Sequence, residues 1–452
     1  MQSINNYILI FCFAVFVTAC EKFVRIPVPE TQVQAQRIFS DERSAEAALT
    51  GLYAQLTATT LSITNGGLSI YPALSADELY NTSPSADLDP FYTNSIPATN
   101  GTGINTRLWS AAYKYIYHCN SIIEQLETAS LSAAFKNRAM AEAKLIRSLL
   151  YSFLVQLFND VPLVLTTSYE TNAVLPRTAS AKVLEQMLTD AADAYDHLPL
   201  TGVKAKPVKA TAAALLARYY LLAGNYAEAE KKAALVIDAN TYSLAANLNN
   251  VFTNTSTETI WHLPKDQGNT AEGAAFVPAS ATVRPAYALS NSLLNAFEPN
   301  DQRKTAWTKS NTVSGFTYVY PNKYKARLAT PVTEAAVVIR VAELLLIRAE
   351  ARAKQDKLVE ATADMNSIRL RAGLTATNNL SKEQLLLAIE KERRTELFTE
   401  WGHRWFDLKR TGRIDEVMQA EKPGWKSTAQ WYPIPQNELL RNAFLTQNPG
   451  YE

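Results

Sequence analysis

The sequence predicts an all-α protein, a scaffold of antiparallel helix pairs carrying two loop-rich stretches and a few short strands. Three observations lead there. Apolar residues recur every three or four positions through most of the 452-residue chain. Two stretches, about 207–244 and 336–373, repeat a pattern of small and large residues around a central turn. The intervening 246–334, and an earlier 59–105, lose the helical period and gather Asn, Ser, Thr, Pro and Gly.

At the start, residues 8–17 (ILIFCFAVFV) form an apolar run too short for a bilayer, which needs about 20 residues. Its length fits the core of a secretion signal, and the small Thr18 and Ala19 precede Cys20. Val17-Thr18-Ala19-Cys20 resembles a lipobox, so 1–19 reads as a lipoprotein signal peptide, Cys20 as the acylated residue and 20–39 as a tether. Residues 1–7 lack the usual Lys or Arg. Each acyl methylene adds about 0.8 kcal/mol of membrane affinity, so several chains on one cysteine anchor stably. Cys12 falls in the leader, which leaves Cys119 without a disulfide partner.

The rest, 40–452, reads as one domain. Ser40 or Asp41 caps a helix whose Ala45, Leu49, Leu52, Tyr53 and Leu56 form one stripe. Residues 107–127 give the clearest helix, with Leu108, Ala112, Tyr115, Ile116, Cys119, Ile122, Ile123 and Leu126 in register. Cys119 on that stripe reads as a buried thiol. Helices at 135–158 and 180–198 follow, bounded by Pro162 and Pro199. Ala214, Ala217, Tyr220, Leu221, Gly224, Tyr226, Ala229 and Ala233 then match the spacing of a tetratricopeptide unit turning at Gly224-Asn225. A weaker copy at 341–373 turns at Asp356-Lys357. Such pairs cannot bury both faces alone and must stack on neighbours. Within the insertion 246–334, residues 259–263 read as a strand and 316–325 as a strand or hairpin edge.

The C-terminal region, 385–452, closes the chain. Leu385, Ile389, Arg393, Glu396, Leu397 and Glu400 share a helical face, Ser381 with Gln384 makes a capping box, and Gly402 marks the expected stop. Trp405, Phe406 and Leu408 among Arg404, Asp407, Lys409 and Arg410 predict arginine–carboxylate pairs buried beside aromatics. Glu400 and His403 form a literal ExxH. A carboxylate-bridged metal site needs two such pairs and two further Glu, so the structural reading is preferred.

Glu392, Arg393, Glu396, Leu397, Glu400, Gly402, Arg404 and 406–410, followed by 433–435, Glu438 and 447–451, resemble the C-terminal signature of the SusD/RagB family. Three further blocks agree: Gly51-Leu52-Tyr53; Trp109, Tyr113, Ile116, Asn120, Ile123 and Glu124; and 141–144 with Arg147, Tyr151, Phe158 and 160–163. The resemblance implies a tetratricopeptide-like fold and an outer-membrane lipoprotein of Bacteroidetes. It further implies surface capture of a nutrient, an oligosaccharide or polysaccharide, for a SusC-like TonB-dependent transporter. The peptide ligands of the RagB branch are an alternative, as is a tetratricopeptide scaffold that assembles envelope proteins without a nutrient.

The residues themselves argue against chemistry and nucleic acid. Lys plus Arg (44) nearly balance Asp plus Glu (43), which leaves no field to draw in a polyanion. No HExxH, GxSxG, P-loop or dinucleotide fingerprint occurs, and His118, His197, His262 and His403 lack metal-ligand spacing. The expectation is no enzyme and no cofactor. Asp87-x-Asp89 is a conceivable structural calcium ligand, but Tyr92 and Ala98 stand where a calcium loop needs Gly and Glu. Aromatics in the loops are the positive signal. A sugar's C–H face stacks on a ring, while amides and carboxylates bond its hydroxyls. The candidate contacts are Tyr80, Asn81, Phe91, Tyr92, Tyr287, Trp307, Tyr318 and Tyr320, with Tyr71 and Phe316 in the same loops and Asp87, Asn94, Asn100 and Arg303 as polar partners. The alternative for any single ring is that it pins its own loop to the scaffold.

Overall fold

The computed structural model describes residues 38–265, 268–328 and 330–451; the signal peptide and Cys20 lie outside them. Helix α1 (Glu42–Ala58) begins where Asp41 accepts the Ser44 N–H at 2.9 Å, and it buries the expected stripe from Ala45 to Leu56. The nine-residue α2 (Gly67–Ser75) follows. A π-helical turn over Gly101–Ser110 leads into α3 (Ala111–Thr128). There Cys119 is fully buried and burial pushes its thiol up to about 12. Helix α4 (Ala133–Phe158) packs on α3 and on α5 (Ser180–His197). Arg147 of α4 clasps Asp190 of α5 through two bonds of 2.8 Å.

The two repeat units form as expected. One is α6 (Lys209–Leu222) with α7 (Tyr226–Ile237), where Asn225 caps the second helix by accepting the Glu228 N–H. The other is α8 (Val341–Lys354) with α9 (Leu358–Arg371). Because α7 packs against α8, the pairs stack directly, and the insertion leaves and re-enters at their junction. The strands, in the insertion, at its exit and in the earlier loop stretch, are short. β1 (Leu79–Asn81) pairs antiparallel with β3 (Tyr287–Leu289). β2 (Thr259–Leu263) pairs with β6 (Ala336–Arg340), which runs straight into α8. β4 (Thr308–Val313) and β5 (Phe316–Pro321) make a hairpin.

Two expectations need correction. Residues 59–105 are not simply a long connection, since α2 lies within them with every residue buried. A helix surrounded by protein has no polar face and so shows no amphipathic period, and its internal Pro72 hides it further. Nor does Gly402 end a helix. Helix α10 (Lys382–Leu397) stops earlier, and Gly402, at φ +75°, is the residue that starts α11 (His403–Arg410). A Cβ there would lie 3.0 Å from the Phe406 ring, so both conformation and space require glycine.

The capping box of α10 forms, with Ser381 and Gln384 bonding each other's backbone. The ion pairs foreseen around residues 404–410 form, with Arg404 on Asp77 (2.9 Å), Arg393 on Asp407 (2.7 Å) and Arg410 on Glu350, and the buried face of α10 carries a further set. Arg340, at the end of β6, bonds Glu258 (2.5 Å), Glu396 (2.7 Å) and Glu400 (2.9 Å). Arg371 of α9 reaches Glu258 and Glu396, and Arg303 reaches Asp301, Glu392 and Glu396. Lys323 bonds Glu400 with the Phe398 ring 4.0 Å from its nitrogen. Glu400 is thus committed to Lys323 and Arg340, while His403 faces Glu343 at 3.5 Å. The ExxH pair diverges into separate ion pairs.

Removing one partner of a buried pair leaves the other charges uncompensated. Arg340→Met is expected to cost about 3–5 kcal/mol in urea unfolding. Acid should act on the same bonds. Hydrogen bonds from Arg369 hold the half-exposed Glu298 down to about 2 from its ordinary 4.5. Burial alone would raise Glu396, but Arg371, Arg340 and Arg303 outweigh it and hold its carboxyl well below the usual range. Since folding lowers these pKa values, the stability they add is complete above 4.5 and drains as pH falls toward about 2. A urea midpoint that declines across that window checks this.

Candidate ligand-binding face

The two loop-rich stretches meet at one place, and strand pairing is what joins them. Asp77, fixed by Arg404 through bonds of 2.9 Å, anchors the chain just before β1. β1 then lies against β3, with Tyr80 opposite Ala288 and Asn81 opposite Tyr287. β3 in turn packs on β5 of the hairpin. This brings Tyr80, half-buried, beside Tyr318 of β5 and Tyr92 at the end of the short helix Asp89–Tyr92. Burial pushes the Tyr80 phenol above its ordinary value, and the nearby Tyr318 and Tyr92 hydroxyls add to this. Tyr92 is 40% exposed. The Lys422 ammonium lies 3.8 Å from its ring centroid, held by the Leu74 and Tyr92 carbonyls. Burial lowers that ammonium to about 8. A cation over one face of Tyr92 steadies the ring.

Asn81 joins this cluster. Its amide nitrogen donates to Ser83 O (2.7 Å) and Asp89 Oδ1 (2.5 Å), so the side chain is held in place, and its oxygen takes no hydrogen bond among the described residues. Arg284 reaches Ser83 Oγ at 2.7 Å, and Phe316 stands 68% exposed at the hairpin turn. The arrangement offers partly open phenol rings, hydroxyls and one positioned amide, a set suited to stacking and hydrogen bonding.

Four candidates do not belong to it. Phe91 is fully buried, packing on Tyr71 (4.6 Å between centroids) and Tyr432 (5.4 Å). A Cβ on Gly103 would come within 2.8 Å of the Phe91 ring, which is why glycine stands there. Trp307 is also fully buried and donates its indole N–H to Leu248 O at 2.9 Å. Tyr287 packs edge-on against Phe276, and Tyr320 is buried. None of these rings presents an open face; they pin loops to the scaffold. The polar candidates are equally committed. Arg303 is locked in the ion-pair network, Asn94 donates to Ser75 O, and Asn100 caps Gly103 and Ile104. Asp87 accepts the Gly103 N–H, and Asp89 accepts Asn81 and the Ser85 N–H. Among the described residues no cluster of three His, Cys, Asp or Glu is placed to hold a metal. Lys422 escaped the sequence reading because nothing in a position 330 residues beyond Tyr92 signals the contact.

The fold is thus a helical repeat scaffold with an aromatic face on its loops. Comparison with known proteins then gives the family. Residues 290–451 match the model described as "SusD family", and 44–221 match "Starch-binding associating with outer membrane". The chain belongs to the SusD/RagB family. A SusD-like protein of Formosa agariphila is 26% identical over 421 residues, covering 79% of this chain and 83% of that one. A SusD superfamily structure from Bacteroides vulgatus superposes with a TM-score of 0.81 at 22% identity, over 91% of this chain and all of that one. A laminarin-binding SusD-like protein superposes at 0.75 with 24% identity, over the same shares.

If the open tyrosines contact ligand, Tyr92→Ala should weaken saccharide binding by about fivefold, the worth of one ring contact near 1 kcal/mol. Trp307→Phe should instead lower the melting temperature without a direct loss of affinity. Titration calorimetry and thermal unfolding of both variants separate the two roles.

Proposed function

We propose that this chain is a cell-surface lipoprotein of the outer membrane that binds oligosaccharide and hands it to a SusC-like TonB-dependent transporter. The observation that carries the reading is the convergence of Tyr80, Tyr92 and Tyr318 from separate loops onto one face. Family membership supports carbohydrate binding and outer-membrane association through the description of the model matched at 44–221. Acylation at Cys20 supplies the anchor in this reading, and no described helix is long and apolar enough to cross a membrane. The protein holds its ligand and does not transform it; the acids and histidine of the C-terminal helices are spent on ion pairs.

Affinity capture of the full-length lipoprotein from detergent-solubilised envelope tests the transport role. A stoichiometric β-barrel transporter in the capture is the expected result. Capture of soluble envelope proteins without a barrel would replace it with the scaffold reading. Radiolabelled palmitate incorporated into wild type but not Cys20→Ala would establish the anchor.

A further inference from the structure

An open groove of about 870 Å3 runs beside the base of the β4–β5 hairpin, between residues 246–249 and the segments around α-helical Gln302 and Thr305. Its lining differs in kind from the tyrosine face. It contains no aromatic ring and no acidic side chain. Lys309 and Lys325 line it. The Lys325 ammonium donates to two carbonyls, Ala306 O (2.7 Å) and Asn322 O (3.2 Å), and Lys309 is exposed with no partner among the described residues. Glu334, close by, spends its oxygens on the backbone N–H groups of Lys325 and Ala326. Asn249, Gln302, Thr305 and Asn322 line the same space, and among the described residues their side chains make no hydrogen bond.

Glu334 offsets part of the Lys325 charge while Lys309 repels it, so the exposed Lys309 is the ammonium left to take an anion, and an anion bound beside it relieves the repulsion. Carboxamides bond sugar hydroxyls, while ammonium groups bond carboxylate or sulfate oxygens. Strand register also ties the groove to the tyrosines. Lys309 lies opposite Tyr320 and Asn311 opposite Tyr318. Lys309 and Tyr318 therefore project from the same hairpin face about 7 Å apart.

We propose that this groove is a second saccharide subsite selective for acidic sugars, through uronate carboxylates or sulfate esters. The inference rests on the saccharide-binding reading and narrows its ligand class. Calorimetry of the mature protein with oligogalacturonate, a sulfated galactan oligosaccharide and a neutral β-1,3-glucan oligosaccharide tests it, using wild type, Lys309→Glu and Tyr92→Ala. Lys309→Glu alters an exposed, unpartnered position, and an unchanged melting temperature verifies folding; if it is lowered, Lys309→Gln takes its place. The expected result is tighter binding of at least one acidic ligand than of the neutral glucan. Lys309→Glu then weakens the acidic ligand by about tenfold or more, more so at low salt, and leaves the glucan unchanged. Tyr92→Ala weakens both. Which acidic probe responds identifies carboxylate or sulfate as the recognised group. Acidic ligands that bind no tighter than glucan, or equally well to wild type and Lys309→Glu, overturn the subsite and leave the tyrosine face standing. Absence of binding to all three probes overturns both.

Discussion

Arg340 is the residue on which the rest of the architecture depends. It sits where β6 becomes α8, and its guanidinium joins Glu258 beside β2 to Glu396 and Glu400 of the C-terminal region. One buried cation thereby ties the insertion, the second repeat pair and the chain's last third to a single point. Arg371, Arg303 and Lys323 extend the junction. Fixed-fork arginine pairs of this kind add less to net stability than their number implies, because burying each charge is costly. What they provide is geometry. Each partner is strongly disfavoured anywhere else, so the insertion has one way to sit on the scaffold.

That fixed junction makes the loop surface useful. Helical pairs supply a rigid body, and two stretches without helical period meet above it through β1, β3 and the β4–β5 hairpin. Buried rings do the holding: Phe91 on Tyr71 and Tyr432, and Trp307 against Phe252 and Phe398. Tyrosines at the rim are then free to meet a ligand on a surface that is already formed. Preorganisation of this kind spares binding the entropy of ordering loops.

The helices were readable because each buries one stripe against a neighbour, as with Leu49, Leu52 and Leu56 or Cys119 and Ile123. Both repeat turns were readable from Gly224-Asn225 and Asp356-Lys357 for the same reason. Helix α2 was hidden, since burial on every side erases the period. The site was legible only in part. Aromatic residues in the right loops were evident, but sequence does not distinguish Tyr92, which is open, from Phe91 beside it, which is buried. That distinction is made by contacts such as Phe91 with Tyr432, and Tyr92 with Lys422, between residues far apart in the chain.

Hydroxyl-radical footprinting with and without saturating oligosaccharide tests whether the tyrosine face holds the ligand, because it reads individual tyrosines in the native protein. Protection of Tyr80, Tyr92 and Tyr318 is expected, with Tyr169, 82% exposed at the start of the short helix Tyr169–Asn172, modified equally in both states. Protection elsewhere, with these three rings unchanged while ligand is bound, would contradict it.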